Sequence, residues 1–129
     1  MNPVVHFELP ANDRERMKQF YTAAFGWELN QLGDDMNGYV VAHTTPLGAD
    51  GRPTKTGEIN GGFYQKTPEM PPQHPSVVVA VDDIHEAMKK VTAAGGTLMG
   101  EPFDIPGIGI YVSFIDTEGN RLSILQPKM

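Results

Sequence analysis

Hydrophobic and polar positions change period several times along this 129-residue chain, and the changes mark out its elements. Residues 4–9, VVHFEL, alternate as a half-buried strand does, with Val5, Phe7 and Leu9 predicted to face a covering helix and His6 and Glu8 the opposite side. The period then lengthens. Met17, Phe20, Tyr21, Ala24 and Phe25 fall at i, i+3, i+4, i+7 and i+8, which predicts an amphipathic helix. Asn12 with Glu15 three residues later has the spacing of a capping box, and Gly26 suits the left-handed position that ends a helix. Strand signals resume in WELNQL, YVVAHT and INGGFYQ.

The same sequence of periods then recurs. Sliding residues 76–96 onto residues 6–26, an offset of 70, sets Asp83 on Asp13, Thr92-Ala93-Ala94 on Thr22-Ala23-Ala24 and Gly96 on Gly26. The second helix has Asp83 and Glu86 as its capping pair, a stripe of Ile84, Ala87, Met88, Val91 and Ala94, and a stop at Gly95-Gly96. Three strand segments follow, TLMGEPF, IGIYVSFID and RLSILQ, the last two joined by the turn DTEGN with Gly119 able to take positive φ. Each helix has one apolar face and needs a sheet to lie on. The predicted fold class is therefore α+β: two βαβββ modules whose curved mixed sheets surround a concave cavity, in a single domain over 1–129. Module one is 1–66, a linker rich in proline (Pro68, Pro71, Pro72, Pro75) is 67–75, and module two is 76–129. The polar stretch 45–58 is a long loop beside the strands of module one.

Composition narrows the function classes. The net charge of −6, with no basic patch, speaks against a nucleic-acid surface and suits a neutral or cationic ligand. There is no cysteine, hence no thiolate nucleophile and no cysteine-built zinc site, which accords with a cytoplasmic protein. The N-terminal residues lack the basic-then-apolar form of a signal peptide, and no apolar run reaches the length of a membrane span.

HFELPANDRERMKQFYTAAFGWEL, VAVDDIHEAMKKVTAAGG and IPGIGIYVSFIDTEGNRLSILQP, with GEINGGFY between them, resemble the vicinal oxygen chelate superfamily of glyoxalase I, bleomycin-resistance proteins and extradiol dioxygenases. The resemblance covers nearly the whole chain. In metal-dependent members it implies four inward-facing ligands, one on the first and one on the last strand of each module. Here the first-strand positions fall on His6 and Ser76, and the last-strand positions on Ser123 and near Gly62. Only His6 is a good transition-metal ligand, and such sites need three or four convergent donors. The expectation is a cavity without the superfamily's metal and no cofactor, with a zinc, nickel or iron site as the alternative, completed if Glu58 or His43 approached His6 and Glu8.

Candidate catalytic residues are His6 and Glu8; candidate ligand contacts are Ser76, Ser123, Tyr64 and Tyr111. His6 is a base, an anchor or a hydrogen-bonded structural residue, and Glu8, about 7 Å along the strand, reaches it only through a bend or a water. Tyr111 is predicted to face opposite to Ile110 and Val112, and Trp27, Tyr39, Phe63 and Tyr64 to divide between core and cavity wall. His74 and His85 are expected in solvent, and Glu118 in the turn. The functional expectation is a protein that binds or transforms a small organic molecule. It is open between an enzyme, a lactoylglutathione lyase-like or dioxygenase-like metalloenzyme, and a non-catalytic drug- or metabolite-sequestering protein, and in each case a homodimer is expected.

Overall fold

The computed structural model describes residues 1–68 and 73–128, so Pro71 and Pro72 of the expected linker lie outside the described residues. The chain divides into two compact units, His6–Pro75 and Ser76–Met129 with Met1–Val5. No helix among the described residues is long and apolar enough to cross a membrane.

The first unit is built from β1 (Val4–Ala11), α1 (Arg14–Phe25), β2 (Glu28–Gln31), β3 (Val40–His43) and β4 (Asn60–Gln65). Its strand order is β2-β3-β4-β1, with β1 parallel to β4 and the other pairs antiparallel. The core is Ala11, Val40, Ala42 and Phe63, with Phe7, Leu9, Met17, Tyr21, Trp27 and Leu29 packed on it. Strand alternation thus sends Phe7 and Leu9 to the helix, as the pattern predicts. Val5, expected with them, is 38% exposed. The cap of α1 is Asp13 rather than Asn12: its carboxylate accepts from the Arg16 N–H, three residues on. The predicted stripe is only partly used. Met17 and Tyr21 reach the core, whereas Phe20 and Phe25 are 58% and 64% exposed and pack as rings on the helix surface.

The second unit contains β5 (Ser76–Ala80), α2 (Ile84–Ala93), β6 (Thr97–Leu98), β7 (Phe103–Ile105), β8 (Gly109–Ile115) and β9 (Arg121–Pro127). Its order is β5-β9-β8-β6, with β7 also pairing β8. The segment TLMGEPF, read as one strand, is two short ones (β6 and the start of β7), because Gly100 takes φ +97° between them. Asp83 caps α2, accepting from the His85 and Glu86 N–H groups. Val81, Ile84, Val112 and Ile124 form the core, joined by Val79, Ala87, Met88, Ile110 and Phe114. Met1–Val5 belong here, and the Ala80 N–H donates to the Pro3 carbonyl. The DTEGN turn closes on Asp116, whose carboxylate accepts from the Glu118 and Asn120 N–H groups. His74, His85 and Glu118 are exposed.

Candidate functional site

In the first unit the sheet face turned away from α1 carries His6, Glu8, Gly62 and Tyr64, since Glu8 pairs with Gly62 and Pro10 with Tyr64. Tyr39, one of the four aromatics expected to divide between core and cavity wall, organises this face. The Tyr39 hydroxyl lies 3.1 Å from His6 Nε2 and 3.4 Å from Glu8 Oε2. It supplies the link between His6 and Glu8 for which a bend or a water was expected. Burial lowers the pKa of His6 to about 4, so the imidazole is neutral near pH 7.

Three sequence features place Tyr39 there. Asn37 and Gly38, both at positive φ, turn the chain into β3. Arg14, at the start of α1, donates from Nη1 to the Asn37 and Gly38 carbonyls at 2.9 and 3.0 Å and holds that turn. Gly62 then leaves room for the ring, because a Cβ on it would come within 2.0 Å of the Tyr39 hydroxyl oxygen. The neighbouring Gly61 faces the other way, where a Cβ would meet the Phe7 ring at 2.5 Å. The Gly-Gly pair in INGGFYQ therefore passes β4 between aromatic rings on both faces. Gly62→Ala should push Tyr39 off its partners and cost about 1–3 kcal/mol, the usual range for overpacking. Denaturant unfolding together with the Tyr39 ring resonances would check this; unchanged resonances and unchanged stability would show that the ring does not rest on Gly62.

The second unit repeats the device with different chemistry. Val78 pairs with Ser123 as Glu8 does with Gly62, and Ser113 pairs with Ser123 as Val41 does with Gly62. Tyr111, two residues before Ser113, is thus the counterpart of Tyr39, two residues before Val41. Its hydroxyl lies 2.6 Å from Ser123 Oγ, which is 2.9 Å from Ser113 Oγ. Arg121 Nη2 donates to Ser113 at 3.5 Å. Ser123 is 1% exposed. Tyr111 does face opposite to Ile110 and Val112, which lie in the helix-side core. Ser76 is half-buried at the start of β5, on the same alternation as Val78. The structure therefore brings His6, Glu8 and Tyr39 together in one unit and Tyr111, Ser113 and Ser123 in the other. The correspondence of the tyrosines was hidden in the sequence: they are 72 residues apart, whereas the first strands repeat at 70 and the last strands, Gly62 to Ser123, at 61.

These donors do not fit a transition-metal ion. Of the superfamily's positions, His6 is engaged through Nε2, Gly62 offers no side chain and its space holds Tyr39, and Ser123 is in a hydroxyl network. Glu58, considered as a further ligand, accepts from Thr45 Oγ1 at 2.8 Å, and His43 lies in β3 paired with Glu28. Among the described residues no three His, Cys, Asp or Glu side chains converge. A mostly apolar groove of about 490 Å³ lies around the start of α1, bordered by Leu9, Met17, Phe20, Tyr21, Phe63 and Pro75. Neither His6 nor Glu8 lines it.

Comparison with known proteins agrees with this architecture. The family model for the Glyoxalase/Bleomycin resistance protein/Dioxygenase superfamily matches residues 4–124. A glyoxylase-like domain-containing protein of Didymella fabae is 31% identical over 120 residues, 91% of this chain and 88% of that one. CFP32 of Mycobacterium tuberculosis is 38% identical over 82 residues, 62% of this chain. The anthracycline biosynthesis protein DnrV of Streptomyces peucetius is 27% identical over 127 residues, 92% of this chain. The matches span only 31% of CFP32 and 44% of DnrV. Among solved structures, BH1468 of Bacillus halodurans has a TM-score of 0.70 at 14% identity, covering 99% of this chain and 96% of that one. The methylmalonyl-CoA epimerase of Mycobacterium tuberculosis has a TM-score of 0.68 at 12% identity, covering 98% and 88%. At such identities the structures share the fold alone.

Proposed function

Because this chain belongs to the Glyoxalase/Bleomycin resistance protein/Dioxygenase superfamily, we propose that it binds a small organic molecule through the polar face of His6, Tyr39 and Glu8, with no metal ion between protein and ligand. The observation that carries this reading is Tyr39 itself. It takes the space above Gly62 and gives His6 Nε2 a hydroxyl partner. Metal-dependent lyase or dioxygenase chemistry has the weaker support, since it needs several convergent anionic or imidazole donors. The net charge of −6 favours a neutral or cationic guest. That two Streptomyces relatives are named for anthracycline biosynthesis supports a drug-like organic molecule. A neutral imidazole beside a phenol and a carboxylate can also move a proton, so the reading includes an enzyme that uses His6 as its base. A homodimer in the cytoplasm completes the proposal.

A thermal-shift screen of cationic and neutral drug-like compounds, with metal analysis of the same purified protein, tests it. At least one compound should raise Tm, with nickel, zinc and iron well below one per chain. His6→Ala should weaken that compound's binding about tenfold or more, equivalent to ~1.4 kcal/mol, while the amide spectrum stays folded. Stoichiometric metal, or an affinity indifferent to His6→Ala, would count against the proposal. Turnover of the bound compound, lost in His6→Ala, would decide for an enzyme over sequestration.

A further inference from the structure

Two contacts meet on one hydroxyl in the first unit, and together they set a direction. Tyr39 Oη is 3.1 Å from His6 Nε2 and 3.4 Å from Glu8 Oε2. A phenol has a single proton to give, and a carboxylate can only accept. Both contacts are hydrogen bonds in one order alone: His6 Nε2–H donates to Tyr39 Oη, and Tyr39 O–H donates to Glu8 Oε2. We infer that Tyr39 and Glu8 lock His6 in its Nε2–H tautomer, so that Nδ1 carries the lone pair and is the atom His6 offers to a ligand. Among the described residues Nδ1 has no hydrogen-bond partner.

This identifies the chemistry the face selects, and it rests on the proposed ligand-binding role of that face. An Nδ1 lone pair accepts from a donor: an ammonium, an amide or amine N–H, or a hydroxyl. It repels a carbonyl or carboxylate oxygen presented to it, because both would offer lone pairs. The neutral state that burial imposes on the ring agrees, since a protonated ring would donate from both nitrogens. Tyr111 meets Ser123 and Ser113, hydroxyls that can each donate or accept. The repeat thus carries equivalent tyrosines, and Tyr39 is the copy beside an imidazole and a carboxylate. Tyr39 and Glu8 act here as positioning residues for His6.

The tautomer is read directly from the imidazole nitrogen resonances of the 15N-labelled full chain near neutral pH. His6 should show a single form, with a lone-pair nitrogen at Nδ1 and a slowly exchanging proton on Nε2. The exposed His74 and His85 give separate signals in the same spectrum. Tyr39→Phe should let His6 relax toward a mixture of the two tautomers while the amide spectrum stays folded. An Nδ1–H tautomer in the unmodified chain overturns the inference whatever the variant does. So does a His6 spectrum unmoved in folded Tyr39→Phe. A matched ligand pair then tests the selectivity: an amine or alcohol should bind about tenfold tighter than its carbonyl or carboxylate analogue, and the reverse preference overturns the assignment of ligand class. If no compound of either kind binds, the binding role fails and the tautomer result still stands, so the two failures are distinct.

Discussion

Phe63→Ala is expected to destabilise the protein by about 3–5 kcal/mol, the range for removing a buried aromatic ring. Phe63 is 1% exposed and sits on β4 between the strands that supply Val40, Ala42 and Ala11. Its ring centroid is 5.2 Å from that of Tyr21, which is stacked on Trp27 at 4.7 Å. Truncation therefore removes the ring through which α1 grips the sheet, and the strands beneath are hydrogen-bonded and cannot close the gap. The effect should extend to function, because Phe63 is next to Gly62 and fixes the height of β4 under Tyr39. Urea unfolding followed by circular dichroism is the check, with the midpoint lowered and the m-value kept. A loss below about 1 kcal/mol would mean that the core can collapse around the missing ring, contrary to the packing described.

The second large effect is the pH dependence contributed by His6. Its pKa is about 4 in the folded chain and 6.5 as the ordinary value. Between those values the unfolded chain holds a proton on His6 that the folded chain refuses, so stability rises with pH across the window and is lost as the pH falls toward 4. The difference of about 2.5 units corresponds to as much as about 3 kcal/mol at pH 7, at roughly 1.4 kcal/mol per unit. The cause is burial of the ring, and protonation would also take from Nδ1 its accepting role. Carboxylates titrate near the lower end of the window, so the informative quantity is the difference between the protein and His6→Gln. That variant should be less sensitive to pH between 4 and 6.5, with a slope lower by up to about one proton. Parallel curves for the two proteins would show that position 6 does not titrate as described.

Much of the frame was legible in the linear pattern. The alternation around His6 puts Phe7 and Leu9 on the helix side, and the stripe of α2 contains Ile84, Ala87 and Met88, all of which lie in or against the cores. Both signals report burial on one face, which is a local and periodic property. The α1 stripe was less informative: Phe20 and Phe25 satisfy the same spacing and remain exposed, because an apolar arc can be wider than the sheet that receives it. The cap moved from Asn12 to Asp13 for a related reason, since adjacent residues of equal capping ability are separated by backbone dihedrals rather than by side-chain type.

The candidate site was legible at His6, Glu8 and Ser123, which sit on strands of the repeat, and not at Tyr39. Tyr39 reaches His6 through a turn held by Arg14 and over a glycine in a third strand, contacts separated by 24 and 33 residues. No period encodes them. The family resemblance likewise implied ligand positions but could not say what fills the space beside Gly62.

The amino-acid order by itself determined where most of the strands and helices lie and that they recur. These follow from periodicity and residue chemistry, which need no neighbours in space. Only the tertiary structure decided that a tyrosine fills the space above Gly62, that its one hydroxyl joins an imidazole to a carboxylate, and that its counterpart in the repeat meets serines. A hydrogen bond has a direction only once its partners stand within reach, and strand register brings them there.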